Sequence, residues 1–268
     1  MAMRGNTFWN RIGELAFPIL LYLLLSASLT GVLELSFPVL AEPENSMWLL
    51  ALVNGFQIPV FLWIYRTQRW TEELQTAEGR KPAWKKSFGL ADLLAAALGG
   101  LLLARGFNGL IGLTPLPRLF PAYESVTEAI YGGSLLSQTL ASVVTAPVLE
   151  EVLTRGLIYG CLRTWFADLR PAILLGALIF ALFHGNVVQG TYAFFLGLYF
   201  VSLYEAYQSL LLPMLAHAAA NASSILLEQT GWLEPLYAEL PGYLLLTAAC
   251  LAVGAVCWGR AAGKISSE

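Results

Sequence analysis

Two adjacent acids, Glu150 and Glu151, sit with Arg155 in TAPVLEEVLTRG (145–156), a stretch flanked by Val143, Val144, Leu157 and Ile158. The chain's only two histidines lie in similar settings, His184 in GALIFALFHGN and His217 in LLLPMLAHAAANAS. Asn221 follows His217 at i+4, on the same face of a helix. Amide hydrolysis needs a deprotonated base to activate water and donors where negative charge develops. Glutamate can supply the first, and histidine and asparagine side chains the second. A lone histidine on an apolar face is usually structural, but here the whole histidine supply joins a Glu pair and an Asn in apolar surroundings. Ionisable groups so placed are costly unless paired, wetted or used. No Ser-His-Asp arrangement is evident, and Cys161 has no histidine in its motif, so a covalent nucleophile lacks a candidate.

The elements that position these residues are membrane helices. Of 268 residues, 57% are hydrophobic and 12% charged, about half the charge of a soluble domain. Eight apolar stretches of spanning length can be marked, at roughly 13–40, 46–65, 88–113, 134–160, 171–188, 190–205, 207–228 and 241–259. The expected fold is all-α: one polytopic membrane domain over 1–268, with a catalytic core at 134–228 and an intramembrane polar cavity. The first stretch is longer than a signal-peptide core and reads as an uncleaved helix. Residues 66–87 read as a water-soluble loop, and 114–133, with three prolines, as a re-entrant or interfacial connection. Three cysteines without CxxC spacing argue against a disulfide framework or zinc ribbon.

With the N-terminus in the cytoplasm and loops assigned alternately, 13 of the 15 Lys and Arg fall inside, leaving only Arg105 and Arg118 outside. The positive-inside bias therefore predicts both termini cytoplasmic, in what reads as a bacterial plasma membrane. The short basic run at 80–86 suits inner-leaflet lipid and gives no sign of nucleic-acid binding.

Depth permits the polar residues to meet. Glu150 is 13 residues from Arg163, and His184 is 14 from Arg170, about 20 Å along antiparallel neighbours in each case. His217 and Asn221 reach a similar level. Glu151 and Arg155 are i,i+4 in the favoured order, which assigns them to a structural ion pair. Glu150 points about 100° away and is assigned to chemistry. Pro147 and Pro213 each remove a backbone donor, can free the carbonyl four residues earlier, and fit a wet cavity.

E-E-x-x-x-R (Glu150, Glu151, Arg155), F-x-x-x-H (Phe180, His184) and H-x-x-x-N (His217, Asn221) follow in order on successive apolar segments. In this the chain resembles the type II CAAX prenyl endopeptidases, the CPBP or Abi family of intramembrane proteases. The resemblance implies an eight-helix enzyme cleaving a peptide bond near the C-terminus of a membrane-associated or lipidated protein or peptide. It implies Glu150 as general base, His184 activating and orienting water, His217 and Asn221 stabilising the oxyanion, and Phe180 packing within its motif. Thr154 departs from the family pattern, where many members carry an aromatic. Bacterial members often lack a prenylated partner, so the prenyl label transfers poorly.

Three rivals stand beside this reading. Glu150, His184 and His217 would also make a two-histidine, one-carboxylate zinc site, but no H-E-x-x-H helix pre-organises it and no cofactor is expected. A proton-coupled transporter would explain costly intramembrane polar residues, yet it predicts inverted repeats that the sequence does not display. A catalytically silent immunity or interaction module would keep the bundle alone. The expected partners are membrane lipids and the protein or peptide substrate.

Overall fold

The computed structural model describes residues 8–76, 87–231, 235 and 238–266, and the regular elements among them are all helical. In lipid, backbone polar groups must be satisfied within the segment, which an apolar run achieves as a helix. We label the helices α1 (Phe8–Ser36), α2 (Ser46–Thr76), α3 (Leu90–Gly112), α4 (Ala122–Tyr131), α5 (Leu135–Arg163), α6 (Leu169–Leu182), α7 (Val187–Tyr207), α8 (Leu211–Thr230) and α9 (Leu240–Ser266). The eight apolar stretches correspond to α1–α3 and α5–α9. Five of these, α1, α2, α3, α7 and α9, contain segments long and apolar enough to cross a membrane.

The three motif-bearing helices are the exceptions. α5 meets α4 at a 109° bend, α6 has only 14 residues, and the apolar part of α8 stops at Leu227. At 1.5 Å per residue α6 is about 21 Å long, short of a ~30 Å hydrocarbon core. It ends where Gly185 takes φ +69°, so His184 lies in the turn between α6 and α7 and not inside the expected 171–188 span. Pro213 is the third residue of α8, where its missing N–H has no helical partner to lose. It begins this helix and does not break it, contrary to the sequence expectation. The expected soluble loop is also shorter, because α2 stays helical to Thr76; its basic residues at 80–86 lie outside the described residues. The 114–133 connection is a single helical turn, Leu116–Leu119, followed by α4, which has no buried residue.

α7 is the central helix, with fourteen buried residues, while α1 buries only Pro18 and Leu33. α3 packs between α8 and α9 through small residues, which let membrane helices approach closely. A Cβ on Gly100 would lie 2.0 Å from the Ala216 carbonyl oxygen of α8, and one on Gly109 would meet Thr247 of α9. Gly100→Ala is therefore expected to cost about 3 kcal/mol or more, since backbone cannot yield as a side chain can. Thermal unfolding in detergent should show a clear fall for Gly100→Ala and almost none for Gly13→Ala, whose Cβ would meet nothing within 4 Å.

Three polar clamps gather at one end of the bundle. Asp92 accepts from Gly89 N (3.0 Å), Tyr207 Oη (2.9 Å) and Arg260 Nη2 (2.9 Å), joining α3, α7 and α9. Glu205 of α7 accepts from Tyr159 Oη (2.9 Å) and Arg163 Nη2 (2.8 Å) of α5. Arg69 of α2 donates to Tyr204 Oη at 3.1 Å. Pairing is what allows such groups to sit within apolar helices at all.

Candidate active site

The register of α5 sets the site. Two π-helical segments, Thr139–Thr145 and Val152–Tyr159, bracket the α-helical turn Ala146–Glu151. Such wide turns are rare and occur frequently at functional sites. Ala146 N–H bonds the Ala141 carbonyl, five residues back. In that register the Ser142 carbonyl falls to residue 147, and Pro147 has no N–H to give. Asn221 Nδ2 of α8 donates to it instead, at 2.8 Å. Pro147 thus frees a carbonyl five residues back, not four, and the freed acceptor orients Asn221. The amide nitrogen carries two hydrogens, and the second is available to the cavity that Asn221 lines. Pro147→Ala would restore a competing donor to Ser142. It is expected to lower kcat for peptide cleavage about tenfold, a fraction of the loss from deleting an oxyanion donor outright.

Glu151 and Arg155 are both fully buried, with Arg155 Nη1 3.0 Å from Glu151 Oε1. The guanidinium also donates to Thr154 Oγ1 (2.6 Å) and the Gly197 carbonyl (3.3 Å). It lies 4.2 Å from the centre of the Phe180 ring, a cation–π arrangement. Thr154 Oγ1 also donates to the Glu150 carbonyl. Glu151 does more than pair with Arg155: its Oε1 lies 2.9 Å from His217 Nδ1. A carboxylate only accepts, so Nδ1 carries the proton and the His217 ring is fixed with Nε2 facing away. That Nε2 stands 3.9 Å from Glu150 Oε2. Phe200 stacks on the same ring, with centroids 5.1 Å apart.

His184 is held by its own helix end. Its Nδ1 lies 3.0 Å from the Phe180 carbonyl, again an acceptor, so Nδ1 carries the proton and Nε2 is left as a lone-pair acceptor. Phe180 packs edge-on to both histidines, at 5.0 Å from His184 and 5.6 Å from His217. Glu150 differs from its neighbour: its side chain is 31% exposed, against 0% for Glu151. Glu150, His184, His217 and Asn221 all line one cavity of about 260 Å³. Among the described residues, no three His, Cys, Asp or Glu side chains stand where they could share a metal ion.

Residues 132–223, the segment that carries all three motifs, match the family model described as type II CAAX prenyl endopeptidase Rce1-like. That segment is similar to the CAAX endopeptidases. Neither the curated proteins nor the solved structures compared with the chain gave a match. The five long apolar helices make this an integral membrane protein, and its motif-bearing segment is similar to CAAX-type endopeptidases.

Within this segment, sequence reasoning missed four contributors: Ser142, Thr154 as a network member, Gly197 through its carbonyl, and Phe200. Pro147 carried a signal for the first, but only a known π register directs it to Ser142. Gly197 and Phe200 lie on α7, which holds no motif, and nothing in their local sequence points to the site.

Proposed function

We propose that the chain is an intramembrane endopeptidase that hydrolyses a peptide bond near the C-terminus of a membrane-associated or lipidated protein or peptide. The supporting observation is the convergence of Glu150, His184, His217 and Asn221, from α5, α8 and the α6–α7 turn, on one cavity inside an apolar bundle. A water between Glu150 and His184 gives one hydrogen to the carboxylate and the other to Nε2. Glu150 takes its proton as the oxygen attacks the amide carbonyl, then passes it to the leaving nitrogen. The second Asn221 amide hydrogen meets the developing oxyanion. His217 joins it as the imidazolium, with Nε2–H donating to the oxyanion and Nδ1–H held on the Glu151 carboxylate that balances the charge. The partial exposure of Glu150 admits the water that hydrolysis consumes.

The reading is metal-free, with no covalent intermediate, and has both termini cytoplasmic in a bacterial plasma membrane. The orientation is supported by Arg163, Arg260 and Lys264, which cluster with their acids at one end of the bundle. The test is cleavage of a membrane-anchored peptide by the full chain reconstituted in vesicles, with mass spectrometry locating the cut. Cleavage abolished by Glu150→Ala, His184→Ala and His217→Ala is expected, and cleavage intact in those variants overturns the proposal. A chelator titration on the same vesicles is expected to leave the rate unchanged; a dose-dependent loss restored by zinc would replace the metal-free mechanism.

A further inference from the structure

Arg105 is an unbalanced charge in an apolar helix. It lies in LLLARGFNGLIG, seven residues before the end of α3 at Gly112, about 10 Å from that terminus. Arg155, Arg163 and Arg260 each have a carboxylate, at 3.0, 2.8 and 2.9 Å respectively. Among the described residues Arg105 has none. Its Nη2 donates to Ser224 Oγ at 2.5 Å, and its Nε is buried with no partner. A guanidinium carries five donors in a planar fork, so most of this one is uncommitted. A cation at this depth is expensive unless something anionic or wet meets it.

Its position says what that would be. Ser224 is three residues beyond Asn221 on α8, and Asn108 is one turn beyond Arg105 on α3. Both line the cavity that holds Glu150 and His184. The Arg105–Ser224 contact therefore stands at the wall of that cavity, about 5 Å along α8 from Asn221. An extended peptide covers ~3.5 Å per residue, so an anion held there is only a few residues from a bond opposite Asn221. The guanidinium fork matches a carboxylate in shape and charge.

We propose that Arg105, supported by Ser224, is a specificity-determining subsite that binds the free C-terminal carboxylate of the peptide being cleaved. This rests on the protease reading and deepens it: the enzyme would measure its cut from the chain end. The rival source of the same chemistry is an anionic lipid headgroup, which the experiment separates.

The full chain, in phosphatidylcholine vesicles, is given one membrane-anchored peptide with a free C-terminal carboxylate and the same peptide as its C-terminal amide. Wild type is expected to favour the carboxylate by roughly 10- to 100-fold in kcat/KM, mostly through KM. Arg105→Gln is expected to bring that ratio near one, and Arg105→Lys, a charge without the fork, to lower it at least threefold. The ratio is taken within one preparation, so partial loss of folded protein cancels. Affinities of the two peptides for the Glu150→Gln protein, by fluorescence anisotropy, read the same preference without cleavage. A chain that binds with this preference but cleaves neither peptide overturns the protease reading and leaves the subsite standing. A wild-type ratio near one overturns the subsite, as does a ratio unchanged in Arg105→Gln or, should that variant not fold, in Arg105→Lys. A preference abolished by adding phosphatidylglycerol assigns the cation to lipid and also overturns it.

Discussion

Glu150→Gln is expected to lower kcat for peptide cleavage by about 10⁴-fold while leaving the protein folded. General base catalysis contributes about 10²–10⁴, and here the same group would return the proton to the leaving nitrogen, which puts the loss at the upper end. The substitution keeps the shape and the carbonyl oxygen and removes only the basic oxygen. Glu150 side chain is 31% exposed, and its nearest ionic partner is His217 Nε2 at 3.9 Å. No buried network is broken, so the stability change should stay within about 0.5 kcal/mol, as for surface substitutions generally. His184→Ala should cost a comparable factor, and the double variant little more than either single, because residues that act on one water act as a unit. Single-turnover cleavage with saturating enzyme measures this directly. A Glu150→Gln protein retaining more than about a tenth of wild-type kcat would remove Glu150 from the proton path.

The sequence makes the helices legible and leaves the register within them obscure, for a physical reason. Apolar run length reports where lipid lies, so α1, α2, α3, α7 and α9 stand out, and α5, α6 and α8 follow from apolar runs broken by the motifs. It does not report where a helix ends in water: α2 continues eleven residues past the expected boundary at 65, since TQRWTEELQT is polar but free of Gly and Pro. Nor does it report π turns, which redistribute carbonyls by one residue and so decide that Asn221 meets Ser142. The order and spacing of Glu150, His184, His217 and Asn221 are visible because catalytic types are rare in apolar runs. Apart from Glu151 beneath His217, their further partners are backbone carbonyls and aromatic faces, which any sequence offers in abundance. Arg105 was visible as a residue but only as one of two cations on the sparse side of the charge balance. Its meaning depends on which helix faces it.

Glu151 is the case where local spacing supplied half of an answer. An i,i+4 pair with Arg155 accounts for the charge, but the same Oε1 that meets Arg155 Nη1 at 3.0 Å also meets His217 Nδ1 at 2.9 Å, across 66 residues. Two roles are thus joined in one oxygen, and substitutions can part them. Glu151→Gln should destabilise the protein by about 3–5 kcal/mol, because it strands a fully buried guanidinium without its counter-charge. It should also lower kcat by up to about 10²-fold, since the amide oxygen that remains still accepts from His217 Nδ1 but lacks the charge that strengthens and fixes that bond. Replacing both members, Glu151→Met with Arg155→Met, removes the two charges together, and such swaps often restore or exceed the original stability. The double variant is therefore expected to recover most of the thermal stability of the wild type in detergent, while kcat stays down about 10²-fold. His217 in that protein is still present and still stacked on Phe200, but nothing holds its Nδ1 proton in place. Activity that recovers in step with stability would return Glu151 to the role of a brace alone. Activity that stays low in a stable protein makes Glu151 a positioning residue acting through His217.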